Sequence, residues 1–589
     1  MKKKFDVLII GSGAAGYAVA ERLFEAGVTR IGLFTECVAC GTSRNAGSDK
    51  QTYYKLDICS PEGDSVQRMA RDLFAGGAMN GTDAYLEAAN SLRCFMHLAE
   101  IGVPFPRDPY GVYHGYRTDH DNTRRATSAG PLTSRFMTER LEQRVKALGI
   151  PVFDGYTAIK LDVSGNVCGG AWFLHDGKTE KVDARATVLC TGAPAAIYEN
   201  SVYPVGHRGA TGLAVQAGTR LQNFQEWQYG IASRKFRWNL SGSFQQVIPR
   251  YVAVDDRGNE TEFLTQLPHY MDLEFLKGYE WPFDSHKLQG SSRVDVLVSE
   301  QIAAGKRVFL DYTRNPEGYD FAALNDTTRS YLQKADAVGQ TPMERLLQLN
   351  PAAYELYLDH GIDLKKEYLE IGVCAQHNNG GIQVDAHGET TVKGLFAAGE
   401  ASGRFGVYRP GGAALNDTQV GALLIAGYLK KSLAGYGEAE GEGEPPVLPP
   451  ISSSSTVNAV NHDFAVAMSR WVANVRDLEK AVSLAEELQA LLNDFENRVT
   501  VASKDEYGEY FALYGTTLAR LALCRTVIAA GKRHGSRGGA VYCEKGEVIP
   551  ENADYRRFLT VTAPDEVSFV PVNEIPDEEY VFEKLLKGE

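Results

Sequence analysis

The 589-residue chain has no apolar run approaching the roughly 20 residues that a membrane-crossing helix needs, so no membrane span is expected. Positive charge is also short: 61 Lys and Arg stand against 75 Asp and Glu, a formal charge of -14. That balance excludes the electrostatic footprint of nucleic-acid binding, and it gives no attraction to anionic lipid. Cysteine is sparse, nine residues scattered over the whole length, which argues against a disulfide scaffold and for the cytoplasm. No four-cysteine cluster suits an iron–sulfur centre, no haem-attachment CxxCH occurs, and no His, Asp or Glu spacing suggests a metal. No internal repeat is seen. The length exceeds what one hydrophobic core sustains, so two to four domains are expected.

The N-terminus, MKKKFDVLII, is basic and then apolar, the order of a signal peptide. However, the apolar run is short and passes into Gly-Ser-Gly rather than a small-residue cleavage site, so it is expected to be a first β-strand. Over residues 1–235 strand-like and helix-like patterns alternate: FDVLII, then AAGYAVAERLFEAG, then RIGLF, and later ARATVLCTG. Residues 236–365 are irregular and rich in aromatics. Strand and glycine signals return over 366–434, as a nucleotide domain interrupted by an insertion would produce. Residues 435–455, rich in Gly, Glu, Pro and Ser, read as a linker. Residues 456–589 carry long stretches of helical periodicity.

GSGAAG (Gly11 to Gly16) fits G-x-G-x-x-G and sits between a strand and a helix. In this pattern Gly11 permits the tight turn, Gly13 lets the backbone approach a pyrophosphate, and Gly16 lets helix and strand pack closely. The helix start at Ala14 and Ala15 then presents free N–H groups to the phosphates. The acid expected to hold a ribose at the end of the second strand falls at Thr35 or Glu36, of which Glu36 has the right chemistry.

Further motifs carry a resemblance. GLFAAGEASG (Gly394 to Gly403) resembles the late flavin-binding motif of two-dinucleotide-fold flavoproteins, and ATVLCTGAP, with Thr191 and Gly192, resembles their A-T-G strand. RATSAGPLTSRFMTERLEQRVKALGI, GHRGATGLAVQAGTRLQNFQEWQYG, GSSRVDVLVSEQIAAGKRVFLDYT, QHNNGGIQVD, YRPGGAALNDTQVGALLIAG and RHGSRGGAVY follow in order. Together they resemble the succinate dehydrogenase/fumarate reductase flavoprotein family, which includes L-aspartate oxidase. The resemblance implies an α/β fold: a Rossmann-like FAD-binding domain interrupted by an α+β capping domain and followed by a helical C-terminal domain.

For the site, the resemblance implies FAD, with Glu400 on one of its hydroxyls. Thr42, Ser43, Ser48, Lys50, Gly411, Ala414 and Leu415 are then also expected as cofactor contacts. The family's covalent-flavin His is missing, with Asn45 about where it would fall, so the FAD is expected to be non-covalent. Arg293 takes the position of the proton-carrying cap arginine. A free guanidinium is a poor acid, so this role needs a hydrogen-bonded relay, and the plainer reading is a salt bridge at a helix start. Arg409 would clamp a carboxylate with its planar fork. Gln376 stands where the family has His, with His377 beside it, and both are expected as substrate contacts. The family's His-Pro-Thr after the E-F-x-Q strand is absent.

These departures argue against succinate or fumarate. The expected reaction is hydride transfer between flavin N5 and a carbon of a small-molecule substrate, reducing or forming a C–C double bond beside a carboxylate or carbonyl. The alternatives are oxidation of an amine or hydroxyl, and an electron-transfer subunit serving an iron–sulfur or other electron-transfer protein. Substrate and oligomeric state stay open. Phe236, Trp238, Phe244 and Tyr251 read as ordinary cap core, and His114 and His120 of HGYRTDH as a polar loop. Cys37 and Cys40 form a CxxC whose spacing and lack of a second G-x-G-x-x-G set it apart from the disulfide flavoprotein reductases.

Overall fold

The computed structural model describes residues 3–59, 63–437, 443–564 and 566–577. β1 (Lys3–Ile10) starts at the basic N-terminus, and its last four residues are buried. β2 (Ile31–Phe34) and the strand Lys178–Leu189 flank it, both parallel, with Ile10 opposite Phe34 and Leu189. A parallel strand covered on both faces needs apolar side chains on both, which is why VLII shows no alternation. Among the described residues this sheet has seven strands, and Leu395–Ala397 returns from far downstream to pair with Lys178–Leu189. α1 (Ala14–Glu25) packs on one face with the helices Thr133–Ala147 and Ala413–Ser432. Tyr17, Met137, Leu141, Ile425 and Leu429 share that core.

The cap is built on a six-stranded antiparallel sheet, in the order Trp238–Asn239, Trp227–Ser233, Leu369–Asn378, Arg307–Asp311, Arg250–Val254, Glu260–Thr261. Two of its strands lie outside the expected range 236–365. The cap therefore grows out of the flavin domain through Trp227–Ser233 and Leu369–Asn378, and both strands reach the site. Trp238, Phe244 and Tyr251 are buried, and Phe236 stacks on Trp238 at 5.4 Å, so these aromatics are core. Asp49 ties the cap to the first domain, accepting bonds from Ser243 Oγ at 2.6 Å and Asn350 Nδ2 at 2.8 Å.

Part of the expected linker, residues 438–442, lies outside the described residues. Beyond it run the helices Val457–Trp471, Leu478–Asn493 and Tyr507–Arg533. The stretch Lys504–Arg533 holds an 18-residue window of mean hydropathy 1.2, long and apolar enough to cross a membrane, but 67% of that window is buried inside the protein. It crosses Thr211–Gln216 where a Cβ on Gly212 would sit 2.0 Å from Gly515 O, so only glycine fits. The chain then leaves helix for strands. Phe558–Thr562 pairs with Leu221–Gln222, and Arg537 binds Glu226 at the root of the cap sheet at 2.8–2.9 Å.

Candidate cofactor and substrate site

A cavity of about 1380 Å³ lies between the glycine turn, the cap and the long C-terminal helix. Gly11 has φ +109°, and a Cβ there would lie 2.4 Å from Cys190 O. A Cβ on Gly16 would lie 1.9 Å from Gly11 O, which sets the close helix–strand packing. Gly13 meets only Ser43 Oγ, at 3.1 Å, and stays open to the cavity. Gly11 and Gly16 thus sit where a Cβ would clash, and Gly13 where the backbone is open to the cavity. The amide of Ala14 donates to Ser43 Oγ at 3.1 Å, at the start of α2 (Thr42–Asn45), and Ser12 Oγ donates to Thr35 Oγ1 at 3.0 Å.

Gly11, Gly13, Ala14, Ala15, Thr35 and Glu36 all line the cavity, as do Thr42, Ser43, Ser48 and Lys50. So do Thr191, Gly192, Glu400, Gly411, Ala414 and Leu415. Gly16 lies beneath the wall. Glu36 faces Arg208 at 3.4 Å. Asn45 turns its amide back onto Ala39 O and Gly41 O and is exposed. Glu400 accepts bonds from Tyr203 Oη, the amide of Asn378 at 3.1 Å and that of Ala193 at 3.4 Å. Burial nonetheless holds its pKa above the usual carboxylate range. This cradle suits a dinucleotide: open backbone at a helix start, an acid at each end, and glycines where a Cβ would block approach.

The other end of the cavity holds Arg409, Gln376 and His377. Arg409 donates through Nε to Asn379 Oδ1 at 3.0 Å, through Nη1 to Pro410 O at 3.1 Å, and through Nη2 to Gln228 Oε1 at 2.6 Å. All three acceptors are neutral, and among the described residues no carboxylate lies within salt-bridge distance of it. Burial lowers its pKa to about 10, so it stays charged at neutral pH. The amide of Asn379 is oriented by its bond to Val407 O at 3.1 Å, so its Oδ1 faces both Arg409 and His377 Nδ1, the latter at 3.1 Å. That acceptor places the His377 proton on Nδ1 and leaves Nε2 as a lone pair without a hydrogen bond, 3.8 Å from Glu400 Oε1. Burial and Arg409 push the imidazole pKa well below its usual value, so His377 is neutral at pH 7.

Arg293 is elsewhere. In the helix Ser292–Ala303 the inward face carries Val294, Asp295, Leu297 and Val298, while Arg293 points outward to Glu300 at 3.3 Å and does not line the cavity. The cap cation on the wall is Lys287, paired with Glu280 at 2.9 Å, and Glu280 also accepts from Ser291 Oγ at 2.6 Å.

Sequence reasoning missed three further contributors. The loop holding His120 is a tight hairpin between Tyr116–Thr118 and Asp121–Thr127, and its tip puts Asp119 and His120 on the cavity. Asp119 makes no side-chain hydrogen bond among the described residues. Burial raises its carboxyl to about 6, against the opposing pull of Lys287, Lys277 and Arg409. Gln228 supports Arg409, and Phe511, Ala512 and Thr516 of the long helix close the far wall. Only the helical period of the last group was visible in the sequence. Cys37 and Cys40 also line the cavity, joined as a disulfide.

A glycine-turn cradle, an acid on the returning strand and a cap closed over one cavity define the class, a capped dinucleotide-dependent oxidoreductase. Residues 6–415 match the model of the FAD binding domain family. The chain belongs to that family and is an FAD-dependent oxidoreductase of the succinate dehydrogenase/fumarate reductase type. It is 25% identical to L-aspartate oxidase of Pseudomonas aeruginosa, over 93% of this chain and 97% of that one. It is 27% identical to a fumarate reductase (CoM/CoB) polypeptide of Methanothermobacter marburgensis, over 70% of each chain. Its fold matches Mycobacterium smegmatis Sdh1 in complex with UQ1, with a TM-score of 0.75 at 19% identity, covering 99% of both chains.

Proposed function

We propose that the enzyme transfers a hydride to or from a substrate carbon beside a carboxylate, forming or reducing a C–C double bond, with FAD held non-covalently. FAD, when bound, supplies the two-electron donor or acceptor. The residues divide the remaining work. Gly11, Gly13 and the amides at the start of α1 take the pyrophosphate, Glu36 a ribose, and Glu400 a flavin-side hydroxyl. Arg409 binds and orients the substrate carboxylate, Gln376 donates to its oxygen, and the cap excludes water. The proton is held on the cap side, where Lys287 and Glu280 line the same cavity as Asp119.

The observation that carries this reading is Arg409. A guanidinium held by three neutral acceptors at a cavity wall calls for an anion from the ligand. On the cap wall Lys287 already has Glu280, which favours a single-carboxylate substrate at that end; the exposed Lys50 and Arg117 line the cavity from the flavin domain. The test is anaerobic: the flavin is reduced chemically, and fumarate and a panel of larger 2-enoates are added while flavin absorbance is followed. Reoxidation by a monocarboxylate enoate and not by fumarate is the expected result. Fast reoxidation by fumarate would overturn the single-carboxylate reading.

A second reading, oxidation of a C–N bond, is favoured by Asp119. Its carboxyl faces the same cavity as Arg409 and would pair with a substrate ammonium. Bleaching of oxidised flavin by an amino acid, with no reoxidation by any enoate, would select it.

A further inference from the structure

Cys37 and Cys40 are bonded to each other, with Cα atoms 5.4 Å apart, in the turn that follows β2. The other seven cysteines are free; Cys94, Cys168, Cys190, Cys374 and Cys524 are buried, and Cys59 and Cys543 are half-buried. Cys40 is exposed, so this disulfide is open to attack from solvent. It also lines the cofactor cavity, in the short stretch between Glu36 and Thr42.

That stretch joins two cofactor contacts. At one end Thr35 is fixed by its amide to Phe153 O at 2.9 Å and by Ser12 Oγ. At the other, Thr42 Oγ1 meets His207 Nδ1 at 3.2 Å, and Ser43 Oγ takes the amide of Ala14. Between them the turn is held by the amide of Val38 on Asp154 Oδ1 at 3.0 Å, by Asn45 Nδ2 on Ala39 O at 2.7 Å, and by a long 3.4 Å contact from the amide of Cys40 to Cys37 O. Val38 and Ala39 bury little, so the covalent link is the strongest restraint on the register between the ribose acid and the pyrophosphate cap.

We propose that Cys37–Cys40 is a thiol–disulfide exchange site for a dithiol reductant, and that its redox state sets how tightly the enzyme retains FAD. A thiolate of the dithiol attacks Sγ of Cys40, the S–S bond breaks, and Cys37 leaves as a thiolate and takes a proton. The second thiol of the reductant then displaces Cys40, which is protonated in turn. Two electrons and two protons pass to the pair, and the reductant departs as a disulfide. Opening the link frees a turn that FAD must then order again on binding. The chain entropy of so short a loop corresponds to a factor of roughly 20 in dissociation constant. Exposed disulfides are the reducible ones, and in reducing compartments such pairs serve redox sensing.

The experiment uses the full chain. Thiols are counted after denaturation without reductant, with seven expected in the oxidised form and nine after dithiothreitol. The apoprotein is then titrated with FAD, with and without dithiothreitol, by quenching of FAD fluorescence. Wild type is expected to bind FAD roughly 20-fold more weakly when reduced. The Cys37→Ser/Cys40→Ser variant should match the reduced value in both buffers, and Cys59→Ser should behave as wild type. Equal affinity in the two states overturns the proposal. So does a drop in apoprotein melting temperature on reduction with FAD affinity unchanged, because that marks a purely structural link. The wild-type comparison decides the matter even if the double variant fails to fold.

Discussion

Replacing Arg409 with Gln removes the charge at the substrate end while keeping a side chain of similar reach. In the native site three N–H groups of Arg409 are spent on Asn379, Pro410 and Gln228, leaving two for the ligand. Each charge-assisted bond to a carboxylate contributes about 1.5–3 kcal/mol. Taking the lower end for each, two bonds give about 3 kcal/mol. At about 1.4 kcal/mol per factor of ten, carboxylate binding should weaken roughly 100-fold. Arg409→Lys keeps a point charge without the fork and should lose about tenfold. The assay is perturbation of the oxidised flavin spectrum by the enoate that reoxidises wild type fastest, with FAD content measured in parallel. A change under threefold in Arg409→Gln, with FAD fully bound, would refute the assignment of the carboxylate to Arg409. Loss of FAD from the variant would instead make Arg409 a cofactor anchor.

Three other outcomes are expected. Gly11→Ala places a methyl 2.4 Å from Cys190 O at a positive φ; it should cost about 2 kcal/mol or more by thermal unfolding and leave the purified protein colourless. Gly212→Val drives a side chain into Gly515 and should displace the wall at Phe511 and Ala512, lowering the ratio of flavin to protein absorbance. Asp119, raised to about 6 among Lys287, Lys277, Glu280 and Arg409, is neutral below that pH and charged above it. Carboxylate affinity should therefore fall severalfold from pH 5 to 7.5, and Asp119→Asn should flatten the profile; an unchanged slope in that variant would assign the titration to another group.

Residues that act through backbone geometry were the most legible. GSGAAG between an apolar run and a helix admits few conformations, and Gly11 and Gly16 sit where a Cβ would clash. Glu400 and Arg409 line the cavity, because each follows a short strand or turn whose end points into it. Arg293 was not legible, because a helix repeats every 100° per residue: one position of uncertainty at its start decides whether a side chain faces the site or the solvent. Here Asp295 takes the inward face and pairs with Lys277 at 2.8 Å. Asp119 was invisible for a different reason. Nothing local distinguishes a hairpin tip in solvent from one pressed against a distant loop, and the amide of Gly411 on Asp119 O, at 3.3 Å, joins residues far apart in the chain. The strand Phe558–Thr562 was missed because its partners, Leu221 and Gln222, lie more than half the chain away.

The wall formed by Phe511, Ala512 and Thr516 also bears on how the protein is made. On a ribosome the glycine turn emerges long before this helix, so the nascent chain presents a half-built groove in between. Full enclosure of the cofactor has to wait for the helix to dock at Gly212. The wall is thereby the later-made side of the cavity, and this helix its latch.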